Sequence, residues 1–120
     1  MVPGKHDFTI YRGSTFEVDV SASDKNGPIN FTDVYTSAKL DIYKAWLKPN
    51  DPIILPTPIF TLSTTNGYIK LEGFMVRLRI PALVTAGLGF TQGVYKLALT
   101  VDGVDPITDF MLYGLINVNL

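Results

Sequence analysis

Residues 7–33 read DFTIYRGSTFEVDVSASDKNGPINFTD, and their side chains alternate in character. Phe16, Val18, Val20 and Ala22 fall on one parity, and Thr15, Glu17, Asp19 and Ser21 on the other. That period of two belongs to a strand with one buried face and one wet face. Phe8 and Ile10 form a shorter run before it. Gly13 stands between the two runs, where a residue without Cβ lets the backbone turn. Asp24-Lys25-Asn26-Gly27-Pro28 then supplies residues that tolerate positive φ or fix a turn. The stretch predicts strand, kink, strand, turn and short strand, and it carries no obvious nucleophile, general base or metal-ligand set.

The alternation continues outward. Ala38, Leu40, Ile42 and Trp46 alternate with Lys39, Asp41, Tyr43 and Ala45 in a long strand, with Lys44 breaking the inner face. Asn66-Gly67 separates Phe60-Thr61-Leu62 from Tyr68-Ile69-Lys70-Leu71, which predicts a hairpin with a type I′ turn. Phe74, Val76, Leu78 and Ile80 alternate with Met75, Arg77 and Arg79. Tyr95, Leu97, Leu99 and Val101 alternate with Lys96, Ala98, Thr100 and Asp102. Between these two strands PALVTAGLG places a proline suited to a helix's first position and glycines suited to its end, predicting one short helical turn. The closing ITDFMLYGLINVNL carries Phe110, Leu112, Ile116 and Val118 on one parity and Met111, Tyr113 and Leu115 on the other. A strand apolar on both faces is either interior or covered by a partner. About seven short strands, turn signals between them and one helical turn predict a single domain over residues 1–120. The expected fold is an all-β, antiparallel sandwich of the immunoglobulin-like form, the commonest at this length. The cysteine pair and intervening tryptophan of antibody domains are not in the sequence, and Trp46 alone reads as a core aromatic.

Composition bounds the partners. One hundred and twenty residues suit one domain, which can bury about 65% of the surface its unfolded chain exposes. Charged residues make up 18% and hydrophobic ones 47%, against about 25% charged in an average domain. Mean hydropathy is +0.23. Some apolar surface is therefore expected to meet a partner. Ten basic and eleven acidic residues give a formal charge of −1, and the basic ones are scattered, so a nucleic-acid partner is not expected. Without cysteine there is no disulfide framework, thiolate nucleophile or thiolate metal site. MVPGKHDFTI lacks the apolar core of a secretory signal, and proline or glycine cuts every apolar run well before the ~20 residues a membrane helix needs. The expectation is a chain folded in a cytosol with no membrane partner.

LKPNDPIILPTPIF, residues 47–60, does not fit a core strand, because Pro49, Pro52, Pro56 and Pro58 remove ladder donors. It also carries Ile53, Ile54 and Leu55, each about 1.5–3 kcal/mol worse in water than fully buried. Two readings stand: a loop that folds its own apolar residues over an open end of the sandwich, and a stiff extended arm that docks on a neighbouring subunit.

Candidates for chemistry are few. His6 is the only histidine, with no serine motif or carboxylate partner in evidence for a triad. Asp102-Gly103-Val104-Asp105, with Asp109, offers oxygen ligands but reads as an Asp-Gly turn, since the EF-hand spacing is missing. Gly87-Leu88-Gly89 has neither the following Lys-Ser/Thr nor the βαβ context of a phosphate loop. Glu17 and Asp19 share a strand face and imitate a catalytic pair, but such a pair is the ordinary wet side of an amphipathic strand. The six tyrosines are spread along the chain. No catalytic residue, metal or cofactor is assigned, and the chain is not expected to be an enzyme.

The pattern as a whole resembles the immunoglobulin-like domain found at the N-terminus of bacteriophage baseplate and tail-fibre-associated proteins, and as small free-standing virion proteins. The likeness lies in Ile10-Tyr11-Arg12-Gly13-Ser14-Thr15-Phe16, Asn26-Gly27-Pro28-Ile29-Asn30-Phe31-Thr32, Asn66-Gly67-Tyr68-Ile69, residues 79–88 (RIPALVTAGL), Gly93-Val94-Tyr95-Lys96-Leu97, and Leu112-Tyr113-Gly114-Leu115-Ile116-Asn117-Val118. The family often has Asp where Ser14 stands, and the proline-rich stretch is longer here. Baseplate members continue into a further domain, whereas this chain runs to Leu120, which turns the expectation toward an adaptor, collar, head-fibre base or capsid-decorating subunit. The resemblance implies a structural virion component made in the host cytoplasm, with other virion proteins and further copies of itself as partners. It transfers no catalytic residue. Excess apolarity nominates Ile53, Ile54 and Leu55, together with Met111, Tyr113 and Leu115, as contact residues. The alternative is a carbohydrate-binding or adhesive sandwich module on a surface appendage.

Overall fold

The computed structural model describes residues 4–47, 52–103 and 106–119, with the side chains of residues 24, 45–47 and 52–56 outside that description. In chain order the elements are β1 (Gly4–Lys5), β2 (Phe8–Tyr11), β3 (Phe16–Val20), β4 (Ser23–Asp24), β5 (Gly27–Pro28), α1 (Phe31–Val34), β6 (Ser37–Leu47), β7 (Pro52–Ser63), β8 (Ile69–Glu72), β9 (Met75–Ile80), α2 (Ala82–Ala86), β10 (Gln92–Val101) and β11 (Ile107–Asn119). The larger sheet has the order β1-β11-β10-β6-β7, with β2 also on β11, and the smaller has the order β3-β9-β8. Every pairing is antiparallel except those of β1 and β2 with β11.

The alternation read from the sequence places the core. Ala38, Leu40, Ile42, Tyr95, Leu97, Leu99, Ile116 and Val118 of the larger sheet are buried against Ile69, Val76, Leu78 and Ile80 of the smaller, with Phe16, Val18 and Val20 packed at the flank. Two sheets joined by crossings between β2 and β3, β3 and β6, β7 and β8, and β9 and β10 make an immunoglobulin-like β-sandwich, with β7 as the extra strand of the variable type.

Two long-range clamps hold the first strands. Arg12 Nε donates to the Leu88 carbonyl at 2.9 Å and Nη2 to the Phe90 carbonyl at 2.8 Å. Beside it the buried Thr85 hydroxyl accepts from Gly13 N–H at 3.1 Å and lies 2.8 Å from the Ser14 carbonyl. The Arg-Gly turn, with Gly13 at φ 83°, is thereby tied to the α2 turn. Nearer the N-terminus, β1 and β2 keep one register on β11, Gly4 opposite Leu112 and Phe8 opposite Ile116. Between them His6 N–H donates to the Tyr113 carbonyl, Leu115 N–H to Asp7 Oδ1, and the Tyr95 hydroxyl to the His6 carbonyl. Gly114 permits this approach, since a Cβ there would sit 2.1 Å from the His6 oxygen.

Several sequence expectations need correction. Asn66-Gly67 does not close a hairpin: β7 belongs to the larger sheet and β8 to the smaller, so the turn carries the chain across the sandwich. Gly67 has φ 84°, but no described non-glycine residue has positive φ, and a type I′ turn needs it at both central positions. The Asn66 side chain closes the turn instead, accepting from Ser63 N–H and Tyr68 N–H and donating to the Thr61 carbonyl. Of the proline-rich stretch 47–60, residues 48–51 lie outside the described residues, and residues 52–60 are neither a loop over the sandwich end nor an arm standing off the sheet. They lie in β7, an edge strand on β6, with register breaks around Tyr43; an edge is where proline's missing donors are tolerated. After the Lys25-Asn26 turn, β4 and β5 pair over two residues each, and a helical turn not read from the sequence, α1, follows. Asn30 caps it by accepting from Asp33 N–H, and Phe31 buries its face. Pro81 is the residue before α2 rather than its first residue. Trp46, read as a core aromatic, has its side chain outside the described set.

Candidate protein-contact face

The two outer faces of the sandwich differ in kind. On the smaller sheet Glu17 stands opposite Arg79 and Asp19 opposite Arg77. Arg77 Nε lies 2.9 Å from Asp19 and its Nη1 3.1 Å from Glu72, Arg79 Nε 3.4 Å from Glu17, and Lys70 Nζ 3.0 Å from Glu72. Arg77 thus ties all three strands. The hydrogen bond from Lys70, helped by the Arg77 charge, holds the Glu72 carboxyl below its usual range. Glu17 and Asp19 are the wet side of a strand, each paired to an arginine.

The larger sheet presents a grid of three rows on β6, β10 and β11. Its rows are Tyr43, Val94 and Leu115; Asp41, Lys96 and Tyr113; and Lys39, Ala98 and Phe110, each set by cross-strand register. Phe110 and Tyr113 are 48% and 45% exposed. Lys96 Nζ lies 5.7 Å from the Phe110 ring centroid, a cation–π distance. Asp41 accepts from Thr61 Oγ1 at 2.8 Å and lies 3.6 Å from Lys39 Nζ. Lys96, Phe110, Leu112 and Tyr113 line a shallow hollow of about 200 Å³.

Of the six nominated contact residues the structure brings two together here, Tyr113 exposed and Leu115 half-buried. Met111 is corrected to the core, 3% exposed. The register steps from Leu97–Leu112 to Ala98–Phe110, so Met111 is the additional residue of a β-bulge that turns inward. The same bulge puts Phe110 outside, although its parity with Ile116 predicts the core. Ile53 and Ile54 are placed only by backbone, paired with Trp46 and Ala45 on the edge strand; their side chains and that of Leu55 lie outside the described set. Lys96, Val94, Ala98 and Tyr43 went unnominated, and their only signal was the wet parity of two strands.

A second hollow, of about 580 Å³, opens between the segment linking β3 to β6 and strand β11, and is lined by residues including Ser21, Ile29, Val34, Tyr35, Asp109 and Met111. Across it the Tyr35 hydroxyl donates to Asp109 Oδ2 at 2.9 Å. Burial, with the Asp109 carboxylate as acceptor and charge, pushes the Tyr35 phenol up to about 12. Among the described residues there is no cluster of three or more His, Cys, Asp or Glu able to hold a metal ion, and no helix long and apolar enough to cross a membrane. The turn at Asp102-Gly103-Val104-Asp105 lies partly outside the described residues.

No family model matches the chain, and no curated protein matches it. One similar solved structure is that of the extracellular domains of the voltage-gated sodium channel beta4 subunit, described as parallel homodimers that explain a role in cell–cell adhesion. It is 13% identical over 100% of this chain and 97% of that one, with a TM-score of 0.33. The strand order and register of this chain, rather than that likeness, define its fold.

Proposed function

We propose that this chain is a non-enzymatic structural component of a bacteriophage virion, a tail or baseplate adaptor or a head-decoration subunit, that works by protein–protein contact through the outer face of its larger sheet. One observation carries the reading: the smaller sheet covers its outer face with ion pairs and opens Met75, beside Phe74, at one end, while the middle of the larger sheet leaves Phe110 and Tyr113 open beside Val94, Ala98 and Leu115. Exposed aromatics rimmed by polar residues are the composition of a protein interface. The ordered turn-and-strand motifs of the phage domains supply the setting, with synthesis in the host cytoplasm, other virion proteins and further copies as partners, and no nucleic acid or membrane.

Immunogold labelling of intact particles with an antibody to the chain tests the proposal. Label at the tail tip or over the capsid is the expected result, and Tyr113→Ser is expected to remove the chain from particles. Unlabelled particles together with tight glycan binding by the isolated domain would overturn it in favour of an adhesive module.

A further inference from the structure

Strand β3 ends its sheet. The smaller sheet runs β3-β9-β8, and among the described residues no strand pairs with β3 on the side away from β9. Successive residues of a strand turn their N–H and C=O to opposite sides, so every second residue of β3 offers a donor and an acceptor to that open side. Burial marks the same gap. Val76, Leu78 and Ile80 of β9 are 0%, 0% and 1% exposed, yet the inward residues directly opposite them, Val20, Val18 and Phe16, are only half-buried. The inner face of β3 lacks a neighbour. Beside it a groove of about 320 Å³ opens toward the N-terminal strands, lined by residues including His6, Phe8, Val18, Val20 and Leu112. A row of backbone donors and acceptors above an apolar groove is met by another strand, whose backbone pairs with the edge while alternate side chains enter the groove.

The outward residues of β3 set what that strand carries. Glu17 and Asp19 form the outermost row of the sheet, and their arginines stand one strand further in, on β9. Each carboxylate gives one oxygen to its arginine, Glu17 Oε2 to Arg79 and Asp19 Oδ1 to Arg77, and the two side chains stay 51% and 38% open. A carboxylate has about four acceptor positions over its two oxygens, so a second cation can be met from the edge side. A second copy of β3, paired antiparallel about Val18, would instead set Glu17 opposite Asp19, and like charges directly opposite are destabilising. Strand β9 shows what β3 accepts. Its sequence, MVRLRI, turns Val76, Leu78 and Ile80 inward and sets Arg77 and Arg79 against the two carboxylates.

We infer that the open edge of β3 takes an extended segment of a partner protein in which apolar and basic residues alternate, adding a fourth strand to the smaller sheet. This edge is separate from the aromatic face of the larger sheet, and the inference does not depend on that face. Amide hydrogen exchange of the full chain, read by NMR, tests it with an end-blocked hexapeptide of sequence MVRLRI as the probe. Adding the peptide is expected to slow exchange at alternate amides within Phe16–Val20. The same peptide with glutamate in both arginine positions is expected to bind roughly tenfold or more weakly, because it sets like charges opposite Glu17 and Asp19. Tyr113→Ser is expected to bind the arginine peptide as the wild type does, which separates the edge from the contact face. No protection of β3 at millimolar peptide overturns the inference, as does equal protection by the glutamate peptide. Protection of β3 that is present without peptide and grows with protein concentration overturns it in favour of a second copy. Peptide binding that is lost on Tyr113→Ser overturns it in favour of the larger sheet's face.

Discussion

Arg12 shows what one side chain does when its partners are far away in sequence. Its fork spans two carbonyls, Leu88 and Phe90, across 76 and 78 positions. Lysine has the charge but not the planar pair of donors. Arg12→Lys is expected to cost about 1–3 kcal/mol in chemical denaturation, the range for losing one charge-assisted bond. The Arg-Gly turn was legible as a kink, because glycine marks it locally; the clamp was not, because nothing local names its acceptors. Tyr35 carries a pH consequence. Its neutral phenol is favoured in the fold, with a pKa raised from an ordinary 10.0 to about 12, and burial raises Tyr95 in the same direction. Stability from both groups is fully present below the unfolded pKa and declines as pH rises through 10 toward 12. Urea midpoints are expected to hold from pH 7 to 9 and fall at pH 11, and Tyr35→Phe to reduce that fall. Glu72 runs the other way: its depressed pKa contributes stability above the ordinary carboxylate range, lost on acidification.

At the level of elements, β11 is where alternation fails and where the failure is informative. Met111 and Tyr113 share a parity and were grouped as contacts, yet the bulge separates them into core and surface. Met111→Ala is expected to destabilise the domain by about 2–5 kcal/mol, the cost of truncating a buried chain and leaving a cavity. Tyr113→Ser is expected to shift stability by no more than about 0.5–1 kcal/mol. Equilibrium unfolding of the two variants separates the roles, and equal losses would place Tyr113 in the core. A bulge leaves no mark in hydrophobic periodicity, so the division was not readable beforehand. Strands β6, β9 and β10 were readable, because each buries one regular face. Residues 52–63 were half readable: their prolines ruled out a central strand, but an edge strand with such a sequence looks like a loop until its partner is known. Asn66-Gly67 was read as a turn correctly and as a hairpin incorrectly, since a dipeptide reports backbone freedom and not which sheet the next strand joins.

For the whole molecule, low overall charge is unevenly spent. Five ion-pair contacts occur among the described residues, and four of them lie on the smaller sheet. Composition foretold that some apolar surface would be open. It could not say which, because placing it required knowing that β10 and β11 lie side by side at the middle of the larger sheet. The N-terminal strands bear on a different property. Gly4 lies beside Leu112 and Tyr11 beside Asn119, running in the same direction, so the described chain enters at one end of the sandwich and leaves at the other. Tension applied at those ends pulls the paired strands lengthwise past each other and loads their cross-links together, instead of peeling them one at a time. A domain joined to neighbours at both ends would therefore bear stretching well, with the pairings of β1 and β2 on β11 and the hydrogen bonds of His6 and Asp7 between them sharing the load.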